Sequence, residues 1–207
     1  MLQRTEEWFK AREGRFTASN ISRLLGKEGL KRTKDSIDNF AFEKAVETIY
    51  GVETDQVISF DMQRGIDLEP YAFAKFKELK SLEFLDVKEV GFYEYEEGAG
   101  ASPDGIVSNN SNLEIKCPKR NKFFKLVANG AVEIDAGYIA QMQMQMLATG
   151  TIQTYFFNYL IENGIEYWHE IIVPRDEEMI SLIKNRIFIG NEIKKDYIKK
   201  ITNNSQF

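Results

Sequence analysis

The chain has one cysteine and one histidine in 207 residues. Cys117 alone can close no intramolecular disulfide and build no thiolate metal cluster, which fits a reducing, cytoplasmic setting. His169 alone removes most imidazole-based mechanisms. A Ser-His-Asp triad would have to use it, and its neighbours Tyr167, Trp168 and Glu170 read as strand. Long apolar runs are missing as well: none approaches the roughly 18 residues of a membrane span. Met1 to Lys10 lacks the basic-then-apolar pattern of a leader, so no membrane is expected as a partner. A basic excess is also absent, with 27 Lys and Arg against 32 Asp and Glu and a net charge of −5. That gives no support to coating of nucleic acid by overall charge and does not exclude a local basic channel. No repeat or low-complexity linker divides the chain.

What is present is a folded chain, 43% hydrophobic, long enough for one domain over residues 1–207. Residues 1–80 read as mainly helical. Glu6 to Arg12 is helical, and Thr17-Ala18-Ser19-Asn20 reads as the cap of a helix through Leu25. Ser36 to Tyr50 carries Ile37, Phe40, Ala41, Ala45, Val46 and Ile49 at helical spacing. Gly65 to Leu79 is a further helix, with Leu68, Tyr71, Ala72, Phe76 and Leu79 as its core stripe. Gly26 to Lys34 is a basic loop, either a solvated connection or a DNA contact. Residues 85–207 read as α/β: a strand over Lys88 to Tyr95, a hairpin, helices over Asn121 to Asn129 and Asp135 to Thr149, then strands Thr151 to Glu162 and Ile165 to Val173 about an Asn163-Gly164 turn. A helix from Arg175 to Lys200 closes the chain. The order predicts a mixed α/β (α+β) core with a helical N-terminal portion.

The hairpin carries the chemistry. Ser102-Pro103-Asp104-Gly105 opens a short strand, Asn109 to Asn112 turns, and Leu113-Glu114-Ile115-Lys116-Cys117 alternates polar and apolar residues. Side chains two apart on a strand share a face, so Glu114 and Lys116 point together while Leu113, Ile115 and Cys117 face a core. A hairpin brings Asp104 beside them. Two carboxylates at one point need a cation, and hard oxygen ligands select Mg²⁺ or Mn²⁺. A lysine there can orient or deprotonate a water, or stabilise developing negative charge. The plainer readings are Asp104 as a turn residue and Glu114 with Lys116 as a solvated strand face.

Ser-Pro-Asp-Gly followed nine residues on by Glu-Ile-Lys-Cys-Pro resembles the core motif of the lambda-type alkaline exonuclease, or YqaJ-like viral recombinase, family of PD-(D/E)XK nucleases. Trp8-Phe9-Lys10-Ala11-Arg12 with Phe16-Thr17-Ala18-Ser19, Gly65 with Glu69, and Tyr138-Ile139-Ala140-Gln141-Met142-Gln143 resemble further family motifs in the expected order. The resemblance implies a restriction-endonuclease-like core, a central mixed five-stranded sheet flanked by helices. It implies two Mg²⁺ ions, with Mn²⁺ as a substitute, held by Asp104, Glu114, Glu69 and the backbone carbonyl of Ile115. Lys116 would position and activate the attacking water, and Gln141 would help orient it. Arg12, Thr17 and Ser19 would bind a 5′-terminal phosphate, and Met62 would stand near a wedge that parts the end base pairs.

The activity so implied is 5′-to-3′ degradation of one strand of duplex DNA to mononucleotides, leaving 3′ overhangs for recombination. The implied partners are duplex DNA with a 5′-phosphate, two further copies in a homotrimeric ring, and a single-strand annealing protein. Lys27, Lys31, Arg32, Lys119, Arg120 and Lys122 would line the ring. The alternatives are an endonuclease or repair nuclease with the same metal site, or a DNA-binding scaffold without catalysis.

Overall fold

The computed structural model describes residues 3–25, 37–52, 59–96 and 98–204. Lys27, Lys31 and Arg32, expected along a ring lumen, lie outside the described residues, as does the whole basic loop from Gly26 to Lys34.

A five-stranded sheet organises the C-terminal part. Its strands are β2 (Val87–Lys88), β5 (Gly105–Val107), β6 (Ser111–Lys116), β7 (Gln153–Glu162) and β8 (Ile165–Pro174), in that spatial order. Only β6 and β7 run parallel. A parallel neighbour needs a long crossover, and helices α5 (Arg120–Asn129) and α6 (Ala136–Thr149) supply it. The Asp135 carboxylate caps α6 through the Gly137 N–H at 2.8 Å. Gly150, left-handed at φ 76°, ends it, as glycine after a helix commonly does.

Both faces of this sheet are covered. Ala72 and Phe76 of α4 (Phe60–Leu82) pack on Leu113, Ile115, Tyr155, Phe157 and Tyr159. Leu126 of α5 and Met142 of α6 pack on Phe156 and Val173 on the opposite face. Strand alternation sends odd residues of β6 and β7 to α4 and even residues to α6. Glu114 therefore enters a helix-covered face and is only 1% exposed, which removes the solvated-face reading. Pro70 lies inside α4, directly after Glu69.

A second, three-stranded sheet escapes the sequence pattern. It is built from β1 (Phe16–Thr17), β4 (Ala99–Ala101) and β3 (Tyr93–Tyr95), with β4 in the middle. The stretch Lys88 to Tyr95 is therefore not one strand: its two ends belong to different sheets. Thr17 ends strand β1 and is the N-cap of a 3-10 turn, Ala18–Asn20, which leads into the short helix α2 (Ser22–Leu25), so the expected helix through Leu25 is present but broken into two pieces. Gly100 is required here, because a Cβ would stand 2.5 Å from the Tyr93 carbonyl and 2.3 Å from the Phe92 ring. Helix α4 begins five residues before Gly65, and Tyr71 is exposed rather than part of its core stripe. Ser111 and Asn112 belong to β6, which narrows the hairpin turn.

Phe16, Leu24, Phe40 and Ala41 share one core with Met144 of α6 and Ile180, Ile183 and Ile187 of α7 (Glu177–Asn204). Strand β1, helix α2 and helix α3 (Ile37–Tyr50) thus rest on the closing helices, with α1 (Glu6–Arg12) preceding them in the chain. The stretch Ser102-Pro103-Asp104 joins β4 of the small sheet to β5 of the large one.

Candidate active site

Asp104 stands where β5 begins. Its N–H donates to the Leu113 carbonyl at 2.9 Å. Its Oδ2 accepts from the Ile115 N–H at 2.6 Å, replacing the strand partner that β5 no longer supplies. A residue's N–H and C=O point to the same side of a strand, so the Ile115 carbonyl points past the end of β5 toward Asp104. Glu69 reaches the same end of the sheet from α4. It and Ile115 wall both a cavity of about 600 Å³ and a smaller one of about 250 Å³. Asp104 lines the smaller cavity; Lys116, Lys122, Met62, Tyr138 and Asn158 line the larger.

Glu114 is fully engaged. Its Oε1 accepts from Lys116 Nζ and from Gln141 Nε2 at 2.7 Å. Its Oε2 accepts from Gln145 Nε2 at 2.5 Å. Gln141 and Gln145 are one helical turn apart and share a face of α6, whereas Gln143 turns to the Pro174 carbonyl. Gln145 joins the site with Gln141; of Gln141, Gln143 and Gln145, only Gln141 has a role assigned from the sequence, although the i+4 spacing of Gln145 from it was visible.

The electrostatics follow from crowding. Burial, then the charges of Glu114 and Glu69, push the Asp104 carboxyl well above its ordinary value, against Lys116 and the Ile115 N–H. Burial would lower Lys116, but Glu114 and Asp104 hold it above the usual lysine value, so it stands as an ammonium. The Lys116 and Lys122 ammoniums each lie 4.8 Å from the Tyr138 ring centre. Burial raises the Cys117 thiol to about 12, which makes it inert at neutral pH.

Among the described residues, no three acidic, histidine or cysteine side chains converge closely enough to hold an ion as they lie. Two of the carboxylates are already paired: Lys116 holds Glu114, and Arg4 Nη2 holds Glu69 Oε2 at 2.5 Å. The donor set itself fits a hard divalent cation, with three carboxylates at one end of the sheet, one directed carbonyl and no soft ligand.

A second cluster lies on α1. Thr5 caps this helix, and Trp8 and Arg12, four apart, share its face. The Arg12 guanidinium lies 4.1 Å from the Trp8 ring centre. It donates to Ser102 Oγ at 3.4 Å and Ser19 Oγ at 3.2 Å. Trp8 Nε1 also donates to Ser102 Oγ, at 2.9 Å, and Thr17 Oγ1 lies 3.1 Å from Ser19 Oγ. Arg12, Thr17 and Ser19 are thus brought together as the sequence implied, with Trp8 and Ser102 added. Burial lowers Arg12 to about 10, so it remains a cation at neutral pH. Its hydrogen-bond partners are hydroxyls, with no carboxylate paired to it among the described residues. Met62 stands apart, 55% exposed in the first turn of α4. Lys119 and Arg120 pair with Asp61 and Glu162.

A YqaJ-like viral recombinase domain model matches residues 7–152, a span that contains Arg12, Glu69, Asp104, Glu114, Lys116 and Gln141. The chain belongs to that family. Its structure is similar to the crystal structure of an alkaline exonuclease (LHK-Exo) from Laribacter hongkongensis, with a TM-score of 0.81 and 29% identity over 96% of this chain and 97% of that one. The structure of LHK-Exo in complex with dAMP aligns over the same shares, with 29% identity and a TM-score of 0.78. A phage related exonuclease from Haemophilus somnus shares the fold, with a TM-score of 0.67 and 19% identity over 95% of this chain and 99% of that one. No curated protein matches the chain in sequence. Among the described residues no helix is long and apolar enough to cross a membrane.

Proposed function

We propose that this protein is a divalent-cation-dependent DNA exonuclease that removes mononucleotides from the 5′-phosphorylated strand of a duplex and leaves a 3′ overhang. The similarity to LHK-Exo supports a DNA nuclease. The observation that carries the polarity is the Arg12 cluster: a desolvated guanidinium with only neutral partners calls for an anion, and its fork suits a terminal phosphate.

Asp104, Glu114, Glu69 and the Ile115 carbonyl would hold the cation, Mg²⁺ or Mn²⁺, and two ions are the proposed complement. When bound, the cation would acidify a water and neutralise charge on the scissile phosphate. The residues of this chain do the rest. Arg12, Ser19, Thr17 and Ser102 bind the strand end. Lys116, held as an ammonium, donates hydrogen bonds to the attacking water or the phosphate rather than taking a proton from them. Gln141 and Gln145 fix the Glu114 carboxylate. Lys122 lies along the larger cavity as a contact for the DNA backbone, and Met62 is placed to meet the duplex end. A homotrimeric ring and a single-strand annealing partner complete the proposal.

Digestion of linear duplex bearing 5′-phosphate or 5′-hydroxyl ends, with Mg²⁺ or with chelator, tests this reading. Cation-dependent release of mononucleotides, faster from 5′-phosphate ends, is expected. Cleavage of circular duplex at a comparable rate would turn the reading to an endonuclease.

A further inference from the structure

The N-terminal segment reaches into the carboxylate site. Gln3 Nε2 donates to the Val90 carbonyl at 3.1 Å and to the Pro103 carbonyl at 2.7 Å, pinning the segment beside the smaller cavity. Arg4 follows with φ 63°, a left-handed conformation that few non-glycine residues adopt. Its side chain meets Glu69, Nη2 to Oε2 at 2.5 Å. Arg4, Glu69, Asp104 and Ile115 are walls of the same cavity, with Glu89 as the other charged wall.

The three carboxylates are thus managed differently. Glu114 is neutralised by Lys116, Glu69 by Arg4, and Asp104 has neither as a hydrogen-bond partner. The Arg4 guanidinium cannot shed its charge. A second cation brought to Glu69 must therefore displace it or bear its repulsion.

We infer that Arg4 is a positioning residue that sets the cation affinity of this site, standing on the Glu69 carboxylate until a divalent cation takes it. The inference rests on reading the site as a cation site. It concerns occupancy rather than the chemical step: Arg4 raises the cation concentration at which Glu69 joins Asp104 and Glu114.

Mn²⁺ binding to the DNA-free protein, followed by titration calorimetry, tests it. Arg4→Ala is expected to bind Mn²⁺ about two- to fivefold more tightly than the unmodified chain, the range of an exposed ion pair. Arg4→Lys, which keeps the charge, is expected to restore most of the original affinity. In a Glu69→Gln background, Arg4→Ala is expected to change nothing, because the pair is already broken. Equal or weaker binding by Arg4→Ala would overturn the inference while leaving the cation site intact. Absence of Mn²⁺ binding by the unmodified chain would instead remove the cation-site reading, and the role of Arg4 with it.

Discussion

The Arg12 cluster and the Asp104 cluster sit at the two ends of Ser102-Pro103-Asp104, and their charges are arranged in opposite ways. Arg12 is a cation among hydroxyls and an indole. Asp104, Glu114 and Glu69 are carboxyl groups, two of them already paired with side-chain cations. The first cluster is complete but for an anion and needs no rearrangement to accept one. In the second, a metal ion proposed to be held by Glu114 and Glu69 would have to displace Lys116 and Arg4 or bear their repulsion. On the proposed reading, end recognition is therefore preorganised, while the catalytic site is assembled on loading.

The sharpest way to break this contrast is to remove the Lys116 ammonium. Lys116→Ala is expected to lower nucleotide release about 10²- to 10⁴-fold, with 5′-end binding retained in a gel-shift assay. Loss of end binding as well would mean the clusters are not separate. Arg12→Ala should act on the other side. The preference for 5′-phosphate over 5′-hydroxyl ends is expected to fall about tenfold or more, the worth of charged hydrogen bonds, measured as the ratio of kcat/KM values.

Two stability measurements sharpen the account of the carboxylates. Gln145→Leu strands Glu114 Oε2 in a buried site and is expected to cost about 1–3 kcal/mol in urea unfolding. The raised Asp104 carboxyl gives a signed pH effect. A folded-state value above the unfolded one means the folded chain binds the extra proton, so Asp104 stabilises less as pH rises from the ordinary carboxyl range toward its raised value. Asp104→Asn is expected to raise Tm in chelator at neutral pH, with the gain vanishing near pH 4. An equal gain at both pH values would show that the charge is not the cause. Smallest of all, Met62→Ala should leave stability within about 0.5 kcal/mol, as for exposed positions. Slower digestion of blunt duplex alone would then support its contact with the end.

The hairpin was legible because period-2 alternation over Leu113 to Cys117 and the Pro-Asp-Gly turn are local signals. Asn163-Gly164 was legible for the same reason, and both residues take positive φ, 52° and 76°. The small sheet was not. Ala99-Gly100-Ala101 carries no β-branched residue, and Phe16 meets Ala99 only through pairing across more than eighty residues. Ser102 and Trp8 were quoted within motifs but given no role, since their hydrogen bond spans 94 positions and exists only once α1 docks beside β4. Asp104, Glu114 and Lys116 were placed on one end of one sheet, as a hairpin dictates. That Arg4 would stand among them had no sequence signal, because it depends on a left-handed residue after Gln3.

The link Ser102-Pro103-Asp104 has a consequence for product size. Two residue steps of extended chain span at most about 7 Å, and Pro103 fixes its own φ. On the proposed reading, the point where the strand end rests, through the Arg12 hydrogen bond to Ser102, and the point where the bond is cut, beside Asp104, are then joined by a two-step covalent link. Such a spacer behaves as a rigid ruler about one nucleotide long. Lengthening it by a single inserted residue would change the size of the fragment released rather than only the speed of its release.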